Sequence, residues 1–344
     1  MKETAIYALT NQGSRLGRHL ADQLQSDLFL PAHLSKSFGG IPFDSLMDVI
    51  ANQFSHYPRQ IFIAATGIVV RAIAPHLTSK DQDPAVVVLD QQGDFVISLL
   101  SGHLGGANEL AREVAGLTGG KAVITTGTDT AGVLSIDILA QKRNMSIANI
   151  EAVKWINGAI LAGDPIQIFD PEDRLGLKTQ DVDNLTIEWV EKEENWSMGY
   201  PGVWVTWGRK KPGLKELVLH PRCLIAGIGC NRGTPFQEII GFITDTFNRN
   251  SLSLKSLKCL TTIEAKKHEK GLLDAAREFG APLITFSASD LDSIEVPNPS
   301  GTVKKYIGVS SVCEATALLK AGTDRLLVPK TKNRNVTVAI ALES

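Results

Sequence analysis

The sequence predicts an α/β protein, two α/β units with mostly parallel sheets flanking a smaller, strand-rich middle lobe. Three observations predict it. Short apolar runs alternate with amphipathic helical patterns over residues 1–133 and again over 222–344. That alternation is what a parallel sheet covered on both faces requires. Residues 134–221 break the rhythm, with Trp155, Trp196, Trp204 and Trp207 around an acidic, turn-rich centre. The chain's 344 residues also suit two or three domains, each with apolar content enough for a core.

In the first unit, Ala5–Leu9 reads as a strand, followed by a helical pattern at Leu16, Leu20 and Leu24. Asp27–Leu30 is a second short run, and Phe43–Phe54 has helical spacing through Leu46, Val49, Ile50 and Phe54. The strands Ile61–Ala65, Ala85–Leu89, Val96–Leu100 and Ala122–Thr125 follow. Gln91-Gln92-Gly93-Asp94 joins two of these as a hairpin, so one strand should run antiparallel. The middle lobe offers strands at Ile166–Phe169, Leu185–Val190, Val203–Trp207 and Glu216–Leu219. The last unit offers Leu224–Ile228, a helix capped by Thr234 with Pro235 in its first turn, and a charged helix over Thr262–Phe279. Pro282–Phe286, a helix Val309–Ala321, and the strands Leu326–Val328 and Val336–Ala341 complete it.

A formal net charge of −2 supplies no global field for nucleic acid, so a polyanionic ligand needs a local basic pocket. No apolar run is long enough to span a bilayer, and Thr10, Asn11 and Gln12 interrupt any signal-type core; the expectation is a cytoplasmic protein. Cys223, Cys230, Cys259 and Cys313 show neither CxxC nor zinc-finger spacing and read as reduced thiols. There is no G-x-S-x-G elbow, P-loop or HExxH, so serine-hydrolase, nucleotide-hydrolase and zinc-protease chemistry lack support.

The chemistry concentrates in three turns that end apolar strands: Ala65-Thr66-Gly67, Ser101-Gly102-His103-Leu104-Gly105-Gly106, and Thr125-Thr126-Gly127-Thr128-Asp129. Gly-rich turns at helix starts present backbone amides to an acidic ligand or an oxyanion, and the three are expected to face one place. His103 reads as a general base or an anion donor, or as a loop His satisfied by backbone. Arg71, one turn after Thr66 and Gly67, either clamps a carboxylate or pairs with a surface acid. Asn108 and Glu109 open a helix, where capping and acidic groups belong anyway. Asp129 reads equally as a second carboxylate for acid/base work or as a helix cap.

In the last unit, Ser311 and Glu314 match a capping box, which explains Glu314 better than catalysis does. Ser310 and Ser311 place hydroxyls at a helix start, and Cys313 beside them is the thiol to test for reactivity. Gly227-Ile228-Gly229-Cys230-Asn231-Arg232-Gly233 is one residue too long for a dinucleotide fingerprint; it reads as an amide-presenting loop with Arg232 beside it. Lys330 and Lys332 add positive charge at a strand end.

The runs FIAATGIVVRAIAPHL, VVVLDQQGDFVISLLSGHLGGANELA and AVITTGTD closely resemble the N-terminal part of the cobalt-precorrin-5A hydrolase family of anaerobic cobalamin biosynthesis. CLIAGIGCNRGTP, GVSSVCEATALLKAG and LLVPKTKNRNVTVAIA resemble its C-terminal domain. The resemblance implies that water opens the δ-lactone on the ring A acetate of a cobalt-bound, ring-contracted tetrapyrrole. C20 then leaves with its methyl as acetaldehyde, giving cobalt-precorrin-5B. Cobalt travels with the substrate, so no cofactor or metal site of the protein's own is expected.

Loop chemistry, not the family motif, suggests the roles. His103 would be the base, with Asp129 or Glu109 alternating with it. Amides at Thr66-Gly67 and Gly105-Gly106 would hold the oxyanion. Arg71, Asn108, Arg232, Ser310, Ser311 and Lys330 would bind the substrate, chiefly its carboxylates. The expected partners are the tetrapyrrole and neighbouring pathway enzymes, not nucleic acid or membrane. A non-catalytic tetrapyrrole carrier is the rival reading.

Overall fold

The structure is a computed structural model that describes residues 2–79, 82–103, 105–178, 185–299 and 311–343. The chain forms two compact units, 1–138 with 160–163, and 139–159 with 164–344.

The first unit is built on one seven-stranded sheet. Its strands are β1 (Thr4–Ala8), β2 (Asp27–Pro31), β3 (Ile41–Phe43), β4 (Arg59–Ile63), β5 (Ala85–Leu89), β6 (Phe95–Leu100) and β7 (Lys121–Val123), in the order β3-β2-β1-β4-β5-β6-β7. β1 and β5 are buried at every position, as a strand covered on both faces must be. Alternation splits their side chains between two cores. Ile6, Ala8, Ile61, Ile63, Val87 and Leu89 pack with Leu20, Leu110 and Val114 of the helices Asn11–Gln23 and Ala107–Thr118. Tyr7, Phe62, Val86 and Val88 face the other way, onto Ile50, Val69 and Ile73 of the helices Leu46–Gln53 and Thr66–Ile73.

β1 to β5 are mutually parallel, β6 runs antiparallel to β5, and β7 runs parallel to β6. The reversal is the expected hairpin. Asp90 fixes its turn, its carboxylate accepting from the amides of Gln92, Gly93 and Phe95. Reversal has a consequence for the site. Leu100 pairs with Val86 at the start of β5, and Ser101 donates to the Asp83 carbonyl just before it. The loop after β6 therefore lies at the end of the sheet opposite the loop after β4.

The second unit holds two five-stranded sheets. β8 (Met145–Ile147), β9 (Ile166–Phe169), β10 (Ile187–Trp189), β11 (Gly202–Val205) and β12 (Glu216–Pro221) order as β10-β9-β11-β12-β8, with only β8 antiparallel. Phe169, Trp204 and Val218 form their core, with Trp196 edge-on to Trp204. The other sheet contains β13 (Leu224–Cys230), β14 (Leu257–Ile263), β15 (Leu283–Phe286), β16 (Leu326–Lys332) and β17 (Val336–Leu342), ordered β15-β14-β13-β17-β16. Here β17 is antiparallel to both neighbours.

The helix Val312–Ala321 lies on this sheet so closely that a Cβ at Gly227 would meet the Cys313 carbonyl oxygen at 1.8 Å. Gly227 thus serves helix–strand packing.

Three local expectations change. Thr262 lies in β14, its hydroxyl on the Ile228 carbonyl, and the following helix is only Lys270–Glu278. The buried run Leu257–Ile263 needs β-strand geometry to reach the sheet centre, which outweighs its charged, helix-like continuation. Pro235, not Thr234, occupies the cap of the helix Phe236–Arg249, because the Thr234 hydroxyl turns back onto the Asn231 carbonyl. Ser311 caps the helix Val312–Ala321 without a side-chain hydrogen bond, so the capping box does not form.

Candidate active site

His103 is held between two carboxylates. Its Nε2 lies 2.8 Å from Asp129 Oδ2 and 3.1 Å from Thr128 Oγ1. Its Nδ1 lies 3.5 Å from Asp137 Oδ2 and 3.5 Å from Ser135 Oγ. Only the doubly protonated ring donates to acceptors at both nitrogens. The pKa of His103 is accordingly raised, first by the hydrogen bond to Asp137. Burial opposes the rise, and the bond to Asp129 adds to it.

Asp129 is fixed by a chain of donors that starts in β6. Ser98 Oγ donates to Asn108 Oδ1 at 2.7 Å, which turns the Asn108 Nδ2 toward Asp129 Oδ2 at 2.9 Å and Thr126 Oγ1 at 3.0 Å. Thr126 Oγ1 donates to the same Oδ2 at 2.8 Å, and Arg112 Nη2 reaches Oδ1 at 2.6 Å. Burial alone would push the Asp129 carboxyl up. The bonds from Thr126, Arg112 and His103 outweigh it and hold its pKa low.

The loop geometry that carries His103 explains its glycines. Gly106 has φ +84°, and a Cβ at Gly105 would lie 2.3 Å from the Ser101 Cβ. The amides of Gly106, Ala107 and Asn108 donate to the carbonyls of His103, Ser101 and Gly102, closing the turn on itself. The Gly106 amide is therefore already paired within the loop.

His103, Asn108 and Asp129 come together as one cluster. Glu109 stands outside it, half exposed, 3.9 Å from Arg112. Thr66, Gly67 and Arg71 do not join it. They follow β4 at the opposite end of the sheet, and Arg71 Nη1 donates to the Gly67 carbonyl of its own helix. Sequence reasoning missed Asp137, Ser135, Thr128 and Arg112 as site members. The signal for Asp137 was faint, an acid two residues after a Ser at the start of the helix Ile136–Lys142.

The remaining candidates belong to the second unit. Ser311 and Lys330 line a cavity of about 460 Å³ together with Lys266, Lys332 and Arg334. Arg232 sits on the exposed turn after β13 and is not part of that lining. Ser310 lies outside the described residues. Glu314 is fully buried and accepts from the Asn298 backbone and side-chain amides and the Lys330 amide, tying a loop to β16. Burial pushes the Cys313 thiol up, so the thiolate that reactivity needs is disfavoured. No helix of the described residues is long and apolar enough to cross a membrane.

Three family models match the chain in order: cobalamin synthesis G N-terminal over 48–129, cobalamin biosynthesis central region over 134–221, and cobalamin synthesis G C-terminus over 224–341. A cobalt-precorrin-5A hydrolase of Priestia megaterium is 34% identical over 98% of this chain and 94% of its own length. A protein of the same name from Salmonella typhimurium is 35% identical over 98% of this chain and 97% of its own. The protein CobE of a Sinorhizobium species is 31% identical over 34% of this chain and 79% of its own.

Proposed function

The chain belongs to the cobalamin synthesis G family, and on that premise we propose that it is a cobalt-precorrin-5A hydrolase. In this reading it opens the ring A δ-lactone and releases C20 with its methyl as acetaldehyde, leaving cobalt-precorrin-5B. The observation that carries the reading is His103, clamped between Asp129 and Asp137 in a turn of the matched N-terminal region.

The raised pKa of His103 reorders its expected roles. The resting imidazolium is a proton donor first and a base second. Water adds to the lactone carbonyl, the acyl C–O bond breaks, and His103 protonates the departing alkoxide. The second proton of the attacking water and the proton of the new carboxyl group both go to solvent. The imidazole left behind then takes the proton of the freed hydroxyl. The bond between C20 and the macrocycle breaks, its electron pair goes to the ring, and C20 departs as acetaldehyde. One residue thus serves both steps, and the ring is recharged for the next cycle. Asp129, saturated with donors and of low pKa, orients the imidazolium and stabilises it. Asp137 holds the second nitrogen. Cobalt enters and leaves with the substrate, the protein supplies no metal of its own, and the reaction is cytoplasmic.

The test is anaerobic incubation with cobalt-precorrin-5A, trapping the aldehyde and weighing the tetrapyrrole by mass spectrometry. Many acetaldehydes per chain with the matching mass change are expected. Tight binding of an unchanged tetrapyrrole would replace the hydrolase with a carrier.

A further inference from the structure

We propose that the cavity between the start of the helix Val312–Ala321 and the β16–β17 hairpin binds carboxylate arms of an acidic ring through Lys266, Lys330, Lys332 and Arg334. The inference deepens the function proposed above and rests on the substrate carrying acetate and propionate groups.

The cavity holds about 460 Å³, and among the described residues four cations and no carboxylate line it. The acids nearby are already engaged. Glu314 accepts from Asn298 and from the Lys330 backbone amide. Glu269 accepts from the Gly233 amide and from Lys266 Nζ at 3.3 Å. Glu238 accepts from the side-chain amides of Asn333 and Asn335.

Lys330 Nζ donates to the Asn298 carbonyl, which leaves its charge unneutralised. Among the described residues, no carboxylate lies within ion-pair reach of Lys330, Lys332 or Arg334.

Like charges gathered in a concavity repel one another, and the arrangement stabilises the fold only when an anion enters. The chain as a whole has net charge −2, so this is a local concentration and not a reflection of composition. The first-turn amides of the helix add partial positive charge, because Ser311 makes no side-chain cap on them.

The volume suits one edge of a large ring with its arms and not the whole macrocycle. Point-charge lysines reaching from β16 and from the turn after β14 suit several separate carboxylates better than one compact anion. A phosphate-binding loop instead surrounds its ligand with consecutive backbone amides.

The probe is cobyrinic acid, a stable cobalt corrinoid with seven carboxyl groups, with its neutral heptamethyl ester as control. Binding to the full chain is followed by titration. The acid is expected to bind and the ester not to. The double variant Lys332→Glu, Arg334→Glu, both exposed on the hairpin, is expected to weaken the acid at least tenfold, with unchanged circular dichroism and urea midpoint. His103→Gln is expected to leave its affinity within twofold.

Unchanged affinity in the double variant would overturn the proposal, as would equal binding of the ester. Displacement of the acid by millimolar inorganic phosphate would overturn the carboxylate assignment. Acetaldehyde release by the unaltered chain is measured in parallel. Its absence, with the hairpin effect intact, removes the hydrolase reading and leaves this one standing.

Discussion

The His103 cluster and the cavity of the second unit handle charge in opposite ways. Around His103, the imidazole and Arg112 face two carboxylates, Asp129 and Asp137, and each has a named partner. In the cavity, Lys266 pairs with Glu269, while Lys330, Lys332 and Arg334 have no carboxylate partner among the described residues. A saturated network fixes geometry and proton affinity, which a reacting group needs. An unsaturated one holds an attraction for an anionic ligand. The contrast separates turnover from recognition, and it can be broken by substitutions that affect the wrong quantity.

His103→Gln should produce the largest effect. Loss of a positioned acid–base group costs about 10²–10⁴-fold in rate, read as initial acetaldehyde release, with binding preserved. A rate within twofold of the unaltered chain would mean that the saturated cluster is structural and that the chemistry lies elsewhere.

Packing supplies the next largest effect. At Gly227 a Cβ would meet the backbone oxygen of Cys313, which no side-chain rotation relieves. Gly227→Ala should lower stability by about 1–3 kcal/mol, the usual cost of overpacking, and lower the urea midpoint. Gly116→Ala in the helix Ala107–Thr118 meets nothing within 4 Å and should raise stability by up to about 1 kcal/mol from helix propensity. Equal effects at the two glycines would show that the close approach of helix and strand at Gly227 is not rigid.

The two regions also differed in how legible they were. Alternation and turn chemistry located most strands, since β1, β5 and β9 are short apolar runs bounded by turn residues. The hairpin at Asp90 was readable too. Its consequence was not drawn from the sequence: reversing β6 sends the His103 loop to the far end of the sheet from Thr66 and Arg71. Similar glycine turns look alike in one dimension, while strand direction decides which of them meet. Asp137 was missed because it stands beyond the last glycine turn, where the sequence read as the start of a linking lobe. Lys332 was legible as a charge, but nothing local says that the hairpin folds its charges over the start of a helix. β14 was hidden by the charged residues that follow it.

Asp137→Asn tests the pH logic of the saturated cluster. His103 has a raised pKa, with Asp137 its largest cause. In the proposed cycle the imidazolium must be present, so activity should fall as pH rises through the folded pKa of His103. Removing the Asp137 charge lowers that pKa. The alkaline limb of the rate profile should move to lower pH, costing about tenfold in rate above the limb for each unit moved. Stability follows the same sign. The contribution of the raised His pKa is fully present below its unfolded value of about 6.5 and is lost as pH rises through the folded one. An unmoved limb with a lower plateau would assign Asp137 to packing alone.

Arg112→Gln should have the smallest effect and is the most exacting test of the cluster's electrostatics. Arg112 is half exposed, so solvent screens its pair with Asp129. At pH 7 the expected loss is within about 1 kcal/mol, the range of surface ion pairs. The low pKa of Asp129 contributes stability that is present above its unfolded value and lost as pH falls through the folded one. Arg112 supplies part of that depression. The stability gap between the variant and the unaltered chain should therefore close as Asp129 becomes protonated, when there is no charge left for Arg112 to meet. Urea unfolding at pH 7 and again at a pH below the lowered pKa of Asp129 reads the gap directly. A gap that keeps its size at both values would mean that Arg112 acts through its apolar stem and not through its charge. The fixed charge of Asp129 would then rest on Thr126 and His103, with Asn108 holding the carboxylate in place between them.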